Sequence, residues 1–136
     1  MRRVAVVLLL AGCPLSAGPN TGECEGDSDC GGNVCARDGF CYPKETVRGV
    51  KTTWTIKGQT ASPTTCGPVT SLMIAFTGDN PGDAPLMYAP VPCEIGQWVM
   101  DKLPDSYTLV ELGKENGFAQ TKTIGAANTV AFDLTN

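Results

Sequence analysis

The sequence predicts an all-β protein: a β-sandwich of about seven strands, preceded by a small disulfide-rich module. Three observations carry this reading. From Val50 onward, apolar and polar residues alternate with period two in one short run after another. The runs recur about every ten residues and are separated by turn-rich links. The 136 residues include 16 glycines and 10 prolines, with Thr and Val frequent and helix formers sparse.

The elements follow in order. Residues 50–57 (VKTTWTIK) place Val50, Thr52, Trp54 and Ile56 on one face and Lys51, Thr53, Thr55 and Lys57 on the other. Trp54, in phase with Val50 and Ile56, belongs to the core. Residues 58–68 are a turn-rich connection containing Cys66. A second strand at 69–77 aligns Leu72, Ile74 and Phe76, and 77–83 (TGDNPGD) is a loop. The third strand, 86–93, contains Pro90 and Pro92, which confine it to a sheet edge. Further strands are expected at 97–103, 106–112, 118–124 and 129–134, the last aligning Val130, Phe132 and Leu134. Residues 112–117 (LGKENG) are the clearest hairpin loop. The expected core is Val50, Ile56, Leu72, Ile74, Phe76, Leu109, Val130, Phe132 and Leu134.

At the N-terminus, Arg2 and Arg3 precede an apolar run at 4–11, and Ala11-Gly12 stand before Cys13. Eight apolar residues span about 12 Å as a helix, short of a hydrocarbon core of about 30 Å, so the run is no membrane anchor. Leu10-Ala11-Gly12-Cys13 resembles the bacterial lipobox. That resemblance implies a diacylglycerol thioether on Cys13, cleavage before it and acylation of the new amino group. An ordinary secretory signal ending at a cysteine is the rival reading, and it too exports the chain. Cleavage removes Arg2 and Arg3, taking the net charge from −4 to −6. Such a chain has no basic patch, which argues against nucleic-acid binding. Attachment to the membrane then rests on the lipid of Cys13.

The chain divides at these features into a signal peptide (1–12), a lipidated flexible tether (13–23), a disulfide-rich module (24–45) and the sandwich (46–136). With Cys13 lipidated, six of the seven cysteines remain. Export favours disulfides over a zinc site, whose usual C-x2-C pairs are missing. Cys66 and Cys93 flank the second and third strands, and a bridge between them would pin the edge strand. Residues 24–41 hold only Val34, Ala36 and Phe40 besides cysteine as apolar material, so crosslinks must replace a core there. Four cysteines permit three connectivities. The segment resembles cysteine-rich knots related to EGF-like and Dickkopf-type modules, and this resemblance implies Cys24–Cys35 and Cys30–Cys41. Leu103-Pro104-Asp105-Ser106-Tyr107-Thr108-Leu109 and Val130-Ala131-Phe132-Asp133-Leu134 resemble segments of prealbumin-like and carboxypeptidase-regulatory-like sandwiches, with Ser106 where a glycine often stands. Together with Trp54-Thr55-Ile56-Lys57-Gly58, Cys66 and Cys93, they are similar to uncharacterised envelope lipoproteins.

The chain contains no histidine, which removes the commonest general base and every Ser-His or Cys-His arrangement. Asp101 and Glu111 are the carboxylates weighed for glycoside hydrolysis, and solvent-facing positions explain them better. Glu25, Asp27 and Asp29, and more so Asp79, Asn80 and Asp83, bunch oxygen donors suited to calcium, although turn chemistry accounts for both sets. No cofactor is called for. Trp54, Trp98, Tyr88 and Tyr107 could build an aromatic platform, with Trp98 and Tyr88 the candidates for ligand contact. The expectation is a monomeric, non-enzymatic protein held in the cell envelope by its lipid, in the outer membrane and periplasm or at the cell surface. Its role is structural or partner-binding, with an envelope protein or a glycan as partner. The alternative is a lipoprotein that binds a glycan or small ligand through Trp98, Tyr88 and nearby loops.

Overall fold

The computed structural model describes residues 22–115 and 117–135. It is an all-β sandwich preceded by a disulfide knot. The knot comprises a 3-10 turn, Asp27–Cys30, and a two-stranded ribbon of β1 (Val34–Cys35) and β2 (Cys41–Tyr42). Cys24 is bonded to Cys35 and Cys30 to Cys41, with Cα separations of 5.8 and 5.4 Å, within the usual disulfide span. Cys30 and Cys41 are buried with Ala36, so sulfur supplies much of what little interior the module has.

The sandwich begins with β3 (Val47–Ile56), which turns through Lys57-Gly58 into the two-residue β4 (Gln59–Thr60). Lys57 and Gly58 both have positive φ, 51° and 74°, which is how a two-residue hairpin matches strand twist. The connection 58–68 also contains α1 (Pro63–Cys66), a single turn. Ser62 caps it by accepting the Thr65 N–H, and Pro63 sits where no N–H is needed. Then come β5 (Ser71–Gly78), β6 (Leu86–Pro92), β7 (Gln97–Pro104), β8 (Tyr107–Lys114), β9 (Ala119–Thr123) and β10 (Thr129–Leu134). One sheet has β3 between β7, antiparallel, and β10, parallel. The other runs β6-β5-β8-β9, all antiparallel. The proline-bearing β6 is thus an edge strand.

Three bulges decide which side chains reach the core. Met73 on β5 faces both Ala89 and Pro90, Gly49 on β3 faces both Asp101 and Lys102, and an extra residue, Thr108, interrupts the pairing of β8 with β5. Each inserted residue reverses the alternation. Inward residues therefore lie three apart rather than two: Tyr88 and Val91, Met100 and Leu103, Tyr107 and Val110. This corrects the expected core at one position. Leu109 is half-exposed, and Val110 and Leu112 occupy the interior instead. The other expected core residues are all buried, as are Trp54 and Thr52.

Cys66 and Cys93, both buried, are bonded across a Cα distance of 6.1 Å. The Cys93 carbonyl also accepts the Trp54 indole N–H at 2.7 Å. On the opposite flank, Gln120 and Lys122 of β9 donate to the Asp133 and Ala131 carbonyls of β10 at 2.8 and 2.6 Å. Those side chains occupy edge acceptors that an incoming strand would need. Lys122 Nζ also lies 5.3 Å from the Phe132 ring centroid, within cation–π range.

Candidate functional site

The edge strands β6 and β7 belong to different sheets and meet on one flank, where Tyr88 and Trp98 come together. Their ring centroids are 5.5 Å apart and tilted by 41°. Both are half-buried and packed against the core. Burial raises the Tyr88 pKa, because the charged phenolate loses hydration. Its hydroxyl lies 3.9 Å from the Met100 sulfur. The Trp98 indole nitrogen is buried without a hydrogen-bond partner among the described residues, as is the Thr52 hydroxyl. These two residues are register partners on β3 and β7. The pair offers aromatic faces, and the Arg37 and Asp101 charges lie near enough to act on the Tyr88 hydroxyl. Trp54 lies in the core, and Tyr107 is buried with its hydroxyl donating to the Ala84 carbonyl at 2.8 Å. Burial raises the Tyr107 phenol to about 12. Of the four aromatic candidates, only Tyr88 and Trp98 form a surface feature.

The β7 bulge aims two opposite charges at the knot. Lys102, at φ 50°, places its ammonium 2.7 and 2.8 Å from the two Asp27 oxygens. Asp101 accepts from the Arg37 guanidinium, with Nε at 2.7 Å. The Arg37 backbone N–H donates to the Lys102 carbonyl at 3.1 Å. The knot therefore contributes one cation and one anion, and the strand returns the complement. Lys102, followed by the Cys35 N–H at 2.9 Å, draws the Asp27 pKa below its usual value. Arg37 and Lys102 had no signal in the sequence, since their partners lie 64 and 75 positions away.

These contacts also account for the acidic clusters. Asp29 accepts the Glu25 and Gly26 backbone N–H groups, both at 3.0 Å, which lowers its pKa. Asp79 accepts the Thr108 hydroxyl at 2.7 Å, and Asp83 accepts the Asn80 N–H at 3.2 Å and packs over Gly78. The weak calcium candidates Asp79, Asn80 and Asp83 thus form a hydrogen-bonded turn. Among the described residues, one group of His, Cys, Asp or Glu brings three ligand atoms within 4.8 Å: Cys24, Cys30 and Cys41. All three are in disulfides, so no thiolate is available there. Asp101 and Glu111 stand on different sheets, and Asp101 is engaged by Arg37. Cys13 and the lipobox-like run Leu10-Ala11-Gly12 lie outside the described residues. Compared with known proteins, the chain matches no protein-family model, no curated protein and no solved structure.

Proposed function

We propose that this chain is a lipid-anchored, non-enzymatic protein of the cell envelope with a structural or partner-binding role. The observation that carries the proposal is Leu10-Ala11-Gly12-Cys13 behind a short basic and apolar leader. Three disulfides suit an oxidising compartment. The sequence has no histidine, and the described carboxylates weighed for catalysis or metal binding are engaged in ion pairs and turns or stand apart on different sheets. The knot, resembling EGF-like and Dickkopf-type modules, and the prealbumin-like sandwich act as a clamped unit on a short tether. At about 5–6 Å times the square root of its length, that tether keeps the knot some 15–20 Å from the bilayer.

Labelling with a radioactive fatty acid tests the proposal. The wild-type chain incorporates label, and Cys13→Ser abolishes it and leaves a precursor with its leader attached. Equal incorporation by both chains would refute lipid attachment at Cys13.

A second reading, binding of a glycan or small ligand at Tyr88 and Trp98, draws support from their proximity on one flank. Their packing against the core favours a structural use. Soluble glycan fragments that shift the Trp98 fluorescence of the full chain would restore this alternative.

A further inference from the structure

We infer that the pole of the sandwich farthest from the knot binds a single acyl chain carrying an anionic terminus, such as a fatty acid. A cavity of about 430 Å³ opens there between the two sheets, within the usual range for small-ligand sites of about 300–1,000 Å³. Its floor is Ile56, Leu72 and Leu134, all buried, contributed by the ends of β3 and β10 and the start of β5. Its lip is Val69 and Phe118, the latter 78% exposed where the β8–β9 turn enters β9. Gly113 and Gly117 present no side chain to the cavity wall. At Gly113 none is admissible, because a Cβ would overlap Ala119.

The lining selects the ligand. It is aliphatic at depth, with Phe118 its one aromatic ring, at the lip, and Lys114 its one ionic side chain. Among the described residues, no carboxylate pairs with Lys114. Lys114 at an apolar mouth complements an amphiphile with a negative head, a local attraction that must outweigh the weak long-range repulsion of a chain of net charge −4.

The chain's own lipid would reach the cavity only with its tether and acyl chain laid out along the sandwich. Gly22 is held at the knot by its carbonyl, which accepts the Cys41 N–H, and the knot docks beside the start of β3. The ten residues of β3 then run about 30 Å to the cavity. The nine residues from Cys13 to Gly22 reach at most about 30 Å when fully extended. An exchangeable acyl anion fits without that extension. The inference does not rest on Cys13 being acylated.

The test uses the full chain carrying Cys13→Ser, titrated with the fluorescent fatty acid cis-parinaric acid. Dodecanoate and dodecan-1-ol then compete for the site, and amide NMR shifts map it. The expected result is saturable one-to-one binding that dodecanoate displaces better than the alcohol, with shifts at Val69, Gly113 and Phe118. Phe118→Ser should weaken binding on the order of tenfold, from the apolar contact of one ring. Lys114→Gln should remove a preference of roughly 2- to 5-fold for acid over alcohol, the worth of an exposed ion pair. Both variants should melt like the parent chain. Several outcomes overturn the inference: no saturation, equal competition by acid and alcohol, shifts confined to exposed Met87 or Val99, or a dimer that Phe118→Ser dissociates without any effect on the probe. If the acylated wild-type chain refuses the probe while Cys13→Ser accepts it, the occupant is the chain's own lipid and the inference fails.

Discussion

Removing the Cys66–Cys93 bridge separates what the core does from what the crosslink does. The bond closes a loop between residues 27 positions apart, and on the chain-entropy model such a loop contributes roughly 3–4 kcal/mol by restricting the unfolded chain. The sandwich owns a continuous interior that includes Val50, Trp54, Leu72, Ile74, Phe76, Tyr107, Val110, Leu112 and Phe132. Each such side chain contributes roughly 1.5–3 kcal/mol of burial before entropy is subtracted. For a domain of this size, about 2 cal/mol/K of unfolding entropy per residue translates the loss into a fall of roughly 15–20 °C in the melting midpoint. The full chain with Cys66→Ala and Cys93→Ala should therefore remain folded at 10 °C, with strand-type circular dichroism and that lowered midpoint. The Trp54 indole keeps its acceptor, since it bonds the Cys93 backbone carbonyl and not the sulfur. If the variant is unfolded at 10 °C while the parent is folded, the core is too weak to hold the sandwich and the reasoning fails. A fall below about 5 °C would mean that the loop opens outside the cooperative unit.

Gly113→Ala should destabilise the sandwich by about 1–3 kcal/mol in denaturant titrations, because the new methyl meets Ala119 in the paired strand. Lys102→Gly should leave stability within about 1 kcal/mol, relief of the left-handed backbone offsetting the lost ion pair. Lys102→Val should cost about 1–2 kcal/mol more than the glycine variant, because a β-branched residue resists that conformation. Asp27, Asp29 and Asp133 all have pKa values lowered in the fold, the last chiefly by the Gly58 N–H and then by the Thr55 hydroxyl. Their stabilisation is present above their unfolded value, near 3.8, and is lost as pH falls through the lower folded values. Thermal melts should accordingly show a falling midpoint below about pH 4, and Asp27→Asn should blunt that fall. Tyr107 shifts the other way, toward about 12. Its contribution is complete below about pH 10 and is lost as pH rises toward 12, a decline that Tyr107→Phe should diminish.

The strands were most legible where alternation is strict. Val130, Phe132 and Leu134 face inward with polar or small neighbours between, and so do Val50, Thr52, Trp54 and Ile56. Leu109 defeated the period-two reading because Thr108 is an unannounced extra residue, and a single insertion moves every later side chain to the other face. Nothing local distinguishes Thr108 from an ordinary strand threonine; the bulge follows from how β8 must meet β5. The turn α1 was hidden inside a stretch rich in Gly, Pro and Thr, although Ser62, Pro63 and Thr65 carry a capping signature. The Tyr88–Trp98 contact and the paired charges of Asp101 and Lys102 join residues that only the tertiary fold brings close.

The bulges also explain how the two modules become one. A regular β7 would send Asp101 and Lys102 to opposite faces, and only one of them could then meet the knot. Setting both against the single Gly49 and turning Lys102 to positive φ lets both charges reach Asp27 and Arg37. Each exposed pair alone stabilises little, because solvent screens it. Their reciprocal arrangement fixes orientation more than it adds stability, since a rotated knot would set like charges together. The knot thus covers one pole of the sandwich, and the aromatic pair and the Gln120 and Lys122 side chains close its two flanks. Among the described residues, the pole bearing Phe118 and Lys114 is the end at which apolar interior meets solvent without such a closure. A fold that guards its other margins in this way leaves its binding capacity there, at the end farthest from the knot.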